Sequence, residues 1–241
     1  DNLESAQFIS IHLGDKSIGF AAKKEQILWF IYIRKEHLRY APRAFDQIIN
    51  EHDINTVYFQ TTDSLMTSLV MDYEFEKTKG AYFFADAMQG EKPRLDYNNM
   101  RFVVAKHADI AFIREHTGTF FDNLELEIER EHLFLLWADK ELLGCGIVAP
   151  SKFATNYASI GMITCKAHRG KGVGKTILWL LKEWCYQRGL KPIAGCWYYN
   201  TLSRKTLESV GLLPVGRGMR AKLLHKEHIP ERTGNPPGEA P

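Results

Sequence analysis

The residues best suited to chemistry lie together in "HRGKGVGKTILWL", positions 168–180. Three glycines (Gly170, Gly172, Gly174) stand among three cations (Arg169, Lys171, Lys175), and an apolar helical period follows at once. A glycine-rich turn entering a helix points main-chain N–H groups and the positive end of the helix at an anion. Phosphate is the ligand class such a turn suits. A triphosphate loop needs G-x-x-x-x-G-K-[ST]. Gly174-Lys175-Thr176 supplies its end, but its first glycine falls on Arg169, and the next strand, "PIAGCWYY", offers no Asp for Mg²⁺. A dinucleotide turn, G-x-G-x-x-G, begun at Gly170 and Gly172 requires glycine where Lys175 stands. What remains is [QR]-x-x-G-x-[GA], carried by Arg169, Gly172 and Gly174.

The elements around this turn read clearly. "RFVVAKHADIAFIREH" is a strand and then a helical period, continued by the acidic "NLELEIEREH". "HLFLLWADKELLGCGIV" is a hairpin, and "NYASIGMITC" a further strand. The helix after the turn puts Val173, Ile177, Leu180, Leu181 and Trp184 on one face, and Gly189 ends it. "KPIAGCWYY" is a strand. "NTLSRKTLESVG" is a short helix with Asn200 as N-cap and Gly211 just past its end.

The first half repeats part of this order. "QFISIHLGDKSIGFAAKK" answers the later hairpin, Gly19 matching Gly144, and "QILWFIYIR" answers "YASIGMITC". "APRAFDQIINEH" is a helix with Pro42 in its first turn. "INTVYFQTT" is a strand, and Asp63 opens a helix as Asn200 does. In this copy "RKEHLRYAP" replaces the glycine turn, with His37 near the place of Arg169. The expectation is a duplication: residues 1–95 a degenerate copy without a cofactor site, 96–226 the catalytic domain, joined through "MQGEKPRLDYNN". The end from 227, Pro- and Gly-rich, is expected to be a disordered tail. His225 and His228 near it are expected to be solvated.

Composition narrows the classes. At 45% hydrophobic, 25% charged and a formal net charge of +2, the 241 residues are globular in balance. That charge gives no case for nucleic acid or an acidic membrane surface. No apolar run approaches the ~18 residues that span a bilayer. Cys145, Cys165, Cys185 and Cys196 form no C-x-x-C pair and no metal-type cluster, and three lie in or beside apolar runs. They read as reduced thiols of a cytoplasmic protein, with no metal expected.

The motif and its setting resemble the GNAT superfamily of acyl-CoA-dependent N-acetyltransferases, over about residues 101 to 220. The family has [QR]-x-x-G-x-[GA] after its fourth strand, an Asn opening the helix after strand five, and a Gly eleven residues on. Arg169, Gly172, Gly174, Asn200 and Gly211 match, with Ser203 at the usual small-residue position. The resemblance implies an α/β (α+β) fold, a mixed and largely antiparallel central sheet flanked by helices, here duplicated. It implies acetyl-CoA as co-substrate and an amine, small molecule or peptide, as acceptor. Arg169, Gly170, Lys171, Gly172, Val173, Gly174 and Lys175 would wrap the pyrophosphate. Main-chain donors for an oxyanion would come from Met162, Ile163 and Thr164; Asn200 would both cap its helix and meet the pantetheine arm, and Ser203 would belong to the cofactor site.

The side chains depart from that family. Where many relatives carry a Tyr seven residues after the Asn this chain has Leu207, and where some carry a Glu on strand five it has Gly195. Tyr199 or Tyr198 can supply the acid. If the strand alternates to its end, Tyr199 shares a face with Gly195 and Trp197. Glu127, with Glu125 and Glu129 or a water relay as alternatives, can supply the base; the bland reading of "LELEIERE" is a solvated helix face. A second class stays open, an acyl-CoA-binding regulatory module without turnover. A third, a tandem transferase using aminoacyl-tRNA, is opposed by the intact turn and the modest charge.

Overall fold

The computed structural model describes residues 5–88, 90–121, 123–151 and 154–224. Along the chain it has β1 (Gln7–Leu13), β2 (Lys16–Lys24), β3 (Ile27–Ile33), α1 (Ala41–Glu51), β4 (Thr56–Gln60), α2 (Ser64–Met71) and β5 (Phe75–Asp86). Then follow β6 (Met100–Val104), α3 (Ile110–Thr117), α4 (Leu124–Glu129), β7 (Leu133–Ala138), β8 (Glu141–Pro150) and β9 (Tyr157–Thr164). The last elements are α5 (Val173–Tyr186), β10 (Lys191–Trp197), α6 (Thr201–Glu208) and β11 (Leu212–Leu223). The expected tail and the two histidines beside it lie outside the described residues. Among the described residues no helix is long and apolar enough to cross a membrane.

The fold is mixed α/β with a largely antiparallel sheet, and the chain divides into two compact units. One is Ala81–Val215; the other is Asp1–Gly80 with Gly216–Pro241. Strands β5 and β11, which periodicity alone did not reveal, both run through a boundary. Residues 81–85 of β5 pair antiparallel with β10, and residues 218–222 of β11 pair antiparallel with β4. In the first unit the order is β1-β2-β3-β4-β11, and in the second β5-β10-β9-β8-β7-β6. Each contains one parallel pair, β3 with β4 and β9 with β10.

The duplication is visible in detail. Both hairpins carry a bulge just beyond the matching glycine, after Ile11 opposite Gly19 and after Leu136 opposite Gly144. A Cβ on either glycine would run into a carbonyl oxygen of the next strand, that of Tyr32 or Ile163. That close approach is why both hairpins need glycine there. Arg34 N–H donates to Ile18 and Cys165 N–H to Leu143, and each strand then enters a 3-10 turn. His37 N–H closes one turn on Arg34, and His168 N–H the other on Cys165. His37 therefore stands where His168 does, not Arg169, a shift of one residue from the sequence reading. Asp63 and Asn200 cap α2 and α6 alike, accepting from Met66 N and Ser203 N at 3.0 Å each. The strand β6 and helices α3 and α4 have no counterpart before β1 among the described residues.

In the second unit, α5 lies on β8 and β9. Its buried face is Val173, Thr176, Ile177, Leu178, Leu181, Lys182 and Cys185, whereas Leu180 and Trp184 are only half-buried. The face expected from periodicity is thus rotated by about a residue, because a charge, Lys182, is also taken in. Lys182 is 1% exposed, and its ammonium lies 2.7 Å from Asp86 and donates to the carbonyls of Met88 and Val210. The joint between the repeats is strapped along α5. Trp179 Nε1 donates to Gly90 O, Lys92 lies over the Trp179 ring, and Leu95 rests against Gly172. Tyr97 OH and His168 Nδ1 are 2.9 Å apart, and Glu141 approaches Nε2 at 3.3 Å.

Candidate functional site: a cavity in a split sheet

Two features of the second unit create the site. The first is a split in its sheet. Strands β9 and β10 pair in parallel only through Tyr157–Ser159 and Lys191–Ile193; beyond that β10 continues against β5 and leaves β9. Cys165 N–H donates to Leu143 O, and β8 and β9 hold an unbroken antiparallel register. Main-chain groups in such a ladder alternate sides. Those of Gly161 and Ile163 therefore face β8, whereas those of Met162 and Thr164 face the gap. Of the three residues expected to supply main-chain donors, geometry favours two.

The second feature is the turn before α5. Gly170 and Gly172 hold φ of +77° and +83°, which side-chain-bearing residues rarely adopt. Gly172 is the N-cap, with Thr176 N–H donating to its carbonyl, so the N–H groups of the first turn ahead of Thr176 have no helical partner. Gly174 faces the split: a Cβ there would sit 3.1 Å from Met162 Sδ and from Thr164 Oγ1. Arg169 reaches back, its Nε donating to Thr164 O at 3.4 Å.

The gap and the turn border one cavity of about 750 Å³. Met162, Ile163, Thr164, Arg169, Gly170, Gly172, Val173, Gly174, Lys175, Asn200 and Ser203 all line it. Lys171 is exposed and outside the lining. Met162 packs in the core beneath α5 and Ile163 in the core beneath α3 and α4, yet both line the cavity, which thus passes through the sheet. Asn200 Oδ1 is used as the α6 cap, leaving its NH₂ group's donors for a ligand.

The side chains proposed for proton transfer fare differently. β10 ends at Trp197, so Tyr198 and Tyr199 belong to the turn closed by Asn200 N–H on Trp197 O. Tyr198 stacks on Tyr82 at 4.7 Å and packs into the core. Tyr199 is 60% exposed, its ring 5.0 Å from that of Trp197, and it stands between two lining residues without lining the cavity itself. Glu127 is also outside the lining; its carboxylate accepts from His132 at 3.0 Å, with Arg130 at 3.9 Å. Glu125 pairs with Arg114. Leu207 and Gly195 both border the cavity. Sequence reasoning missed Phe120, Cys196, Trp197, Leu202 and Lys205 in the lining, since loop approach and strand splay leave no periodic trace. Burial pushes the Cys196 thiol up, against a hydrogen bond with Ser203 that pulls it down.

Two family models match the chain. An acetyltransferase (GNAT) domain covers residues 1–87, and the acetyltransferase (GNAT) family covers residues 91–212. The chain belongs to the GNAT acetyltransferase family. It is an acyltransferase with two GNAT domains in tandem, and the family implies acetyl-CoA as co-substrate and an amine as acceptor. No curated protein matches the sequence. Among solved structures, it is similar to a GNAT acetyltransferase from Colwellia psychrerythraea (18% identity, TM-score 0.81, 92% of this chain, 87% of that one). A GCN5-related N-acetyltransferase from Sphaerobacter thermophilus follows at 11% identity and TM-score 0.62, covering 91% and 82%. A tandem GNAT protein from the clavulanic acid biosynthesis pathway matches at 10% and 0.59, covering 90% and 83%. At such identities the likeness is one of fold, and the tandem GNAT architecture is part of it.

Proposed function

We propose that the chain is an N-acetyltransferase in which the second GNAT domain (96–226) binds acetyl-CoA and the first (1–95) binds none. The carrying observation is one cavity bordered by both the glycine turn and the split edge of β9. The lining fits the cofactor's chemistry: cations and free N–H groups at a helix N-terminus for the pyrophosphate, and apolar residues beside the gap for the pantetheine arm. Acetyl-CoA supplies an acetyl group activated as a thioester. With no side chain at Gly174, the first turn of α5 stays clear of Met162 and Thr164, and the gap beside it stays open to a ligand. The N–H groups of Met162 and Thr164, aimed into the gap, stabilise negative charge on a carbonyl oxygen held there.

The amine attacks directly, and its proton leaves by water, because Glu127 is committed to His132 and Arg130. Tyr199, beside Trp197 and Asn200, gives a proton to the departing thiolate. The four free thiols, three of them buried, support a reducing, cytoplasmic setting. The test is release of free thiol from acetyl-CoA with a panel of amines and peptides. Tyr199→Phe is expected to lower kcat at least tenfold with acetyl-CoA affinity retained, in line with the ~10²–10⁴-fold typical of general acids. Full activity in that variant removes Tyr199 from the reaction. Acetyl-CoA binding without thiol release from any acceptor favours the regulatory-module reading.

A further inference from the structure

The cavity has two ends of different chemistry. On the α5 side stand the glycine turn, Arg169, Lys175 and Lys205. The other end is set by the alternation of β10: Ala194 and Cys196 pack into the core beneath α5, so Gly195 and Trp197 face the opposite side. Ile163 points the same way. Phe120, from the loop after α3, joins them in the lining, 52% exposed. Phe83 pairs with Gly195 across the ladder, and its ring lies 3.8 Å from where a Cβ on Gly195 would be. That missing side chain meets nothing closer than 3.6 Å, so its absence leaves an open slot walled by Phe83. Trp197 is 64% exposed, and Tyr199 extends the ring surface beyond it.

A surface that leaves Trp197, Tyr199 and Phe120 mostly in water around a cavity mouth gains by being covered with apolar matter. A polar body docked there would give up its hydration to ring faces that between them offer only the Trp197 N–H and the Tyr199 hydroxyl for hydrogen bonding. We infer that the acceptor subsite lies in this mouth, around Phe83, Gly195, Trp197 and Phe120, and that it takes a small primary amine carried on an aromatic or aliphatic body. Such an amine lays its apolar body on Trp197 and in the slot beside Gly195. Its nitrogen then enters the gap from the side opposite the phosphate turn. The inference rests on the transferase reading for the identity of the nitrogen, but not for the apolar character of the site.

Two measurements on the full chain separate the claims. Binding of 2-phenylethylamine and of ethanolamine to the protein saturated with coenzyme A is followed by titration calorimetry, and thiol release from acetyl-CoA is followed with the same amines and spermidine. The expected result is at least tenfold tighter binding, and at least tenfold higher kcat/KM, for 2-phenylethylamine. Trp197→Ala, at an exposed position that threatens no core, should erase that preference, and Trp197→Phe should restore most of it. Acetyl-CoA affinity should stay within about threefold in both variants. Selective binding of 2-phenylethylamine without turnover would keep the apolar subsite and sink the transferase reading. Transfer to ethanolamine or spermidine at equal or better efficiency, or equal losses for all amines in Trp197→Ala, overturns the subsite and leaves the transferase reading standing.

Discussion

Gly174→Glu is the perturbation that most directly tests the phosphate turn. Gly174 lies in the first turn of α5 with ordinary helical φ, so a side chain brings no backbone strain. Its Cβ would press on Met162 Sδ and Thr164 Oγ1 at 3.1 Å, contacts that ask each neighbour to give by a few tenths of an ångström. Replacing helical glycine by glutamate contributes less than the roughly 0.8–1 kcal/mol of a change to Ala, and a carboxylate at a helix N-terminus about 0.3–1 kcal/mol more. These offset the crowding, and the free protein should melt within about 4 °C of the parent. Binding is another matter. A carboxylate about 5 Å from a phosphate charge, at an effective dielectric near 20, costs roughly 3 kcal/mol, or about a hundredfold or more in affinity. At a hundred times its dissociation constant acetyl-CoA stabilises the parent by about 2.7 kcal/mol, a shift of roughly 5–10 °C. The same concentration should move the variant by about 1 °C. Free coenzyme A should act like acetyl-CoA, since the pyrophosphate is the anchor, and ATP with Mg²⁺ should do nothing. Thermal melts and calorimetry read all of this. Unchanged affinity in Gly174→Glu, or a melt that responds to ATP–Mg²⁺ and not to acetyl-CoA, refutes the reasoning.

Three further outcomes are expected. Titration with acetyl-CoA should give one site per chain, because the first domain has Arg39, Ala41 and Arg43 where the second has Gly170, Gly172 and Gly174; a stoichiometry near two refutes it. Lys182→Met should destabilise by about 3–5 kcal/mol, since it leaves Asp86 without its cation, with only the Tyr186 hydroxyl as donor, and takes the donor from two carbonyls, lowering the melting point by about 10 °C. Adding Asp86→Asn should recover part of that; no loss in the single variant would show that the buried pair contributes nothing. Burial pushes the thiols of Cys145 and Cys185 up to about 12 and about 11. Protonated in the fold but ionised when unfolded, they contribute stability that is whole below pH 9. It is lost at up to about 1.4 kcal/mol per pH unit for each thiol as pH rises toward those values. Denaturant midpoints measured from pH 8 to 11 should fall less steeply in Cys145→Ala than in the parent, and parallel slopes would contradict this.

Much of the site was legible as spacing. The turn, its helix, the Asn200 cap and the Gly211 stop depend on main-chain conformation within a few residues, and such local rules act before any tertiary contact exists. The same holds for the repeat, where Gly19 and Gly144 mark one bulge twice and Asp63 and Asn200 cap alike. What lay beyond the sequence were contacts between segments far apart along it. Nothing near Gln60 announces that β4 pairs with residues 218–222, or near Trp197 that its strand leaves β9 for β5. The split that opens the cavity is a matter of which partner β10 follows, and long-range pairing settles that. Neither proton-transfer candidate lines the cavity, and that too is tertiary: β10 ends at Trp197, so the turn and not strand alternation orients Tyr199, and Glu127 accepts from His132. The sequence determined the chain's local turns, caps and periodicities, because short-range sterics and hydrogen bonds set them; the tertiary structure alone decided which backbone edges stayed open and which side chains faced the gap.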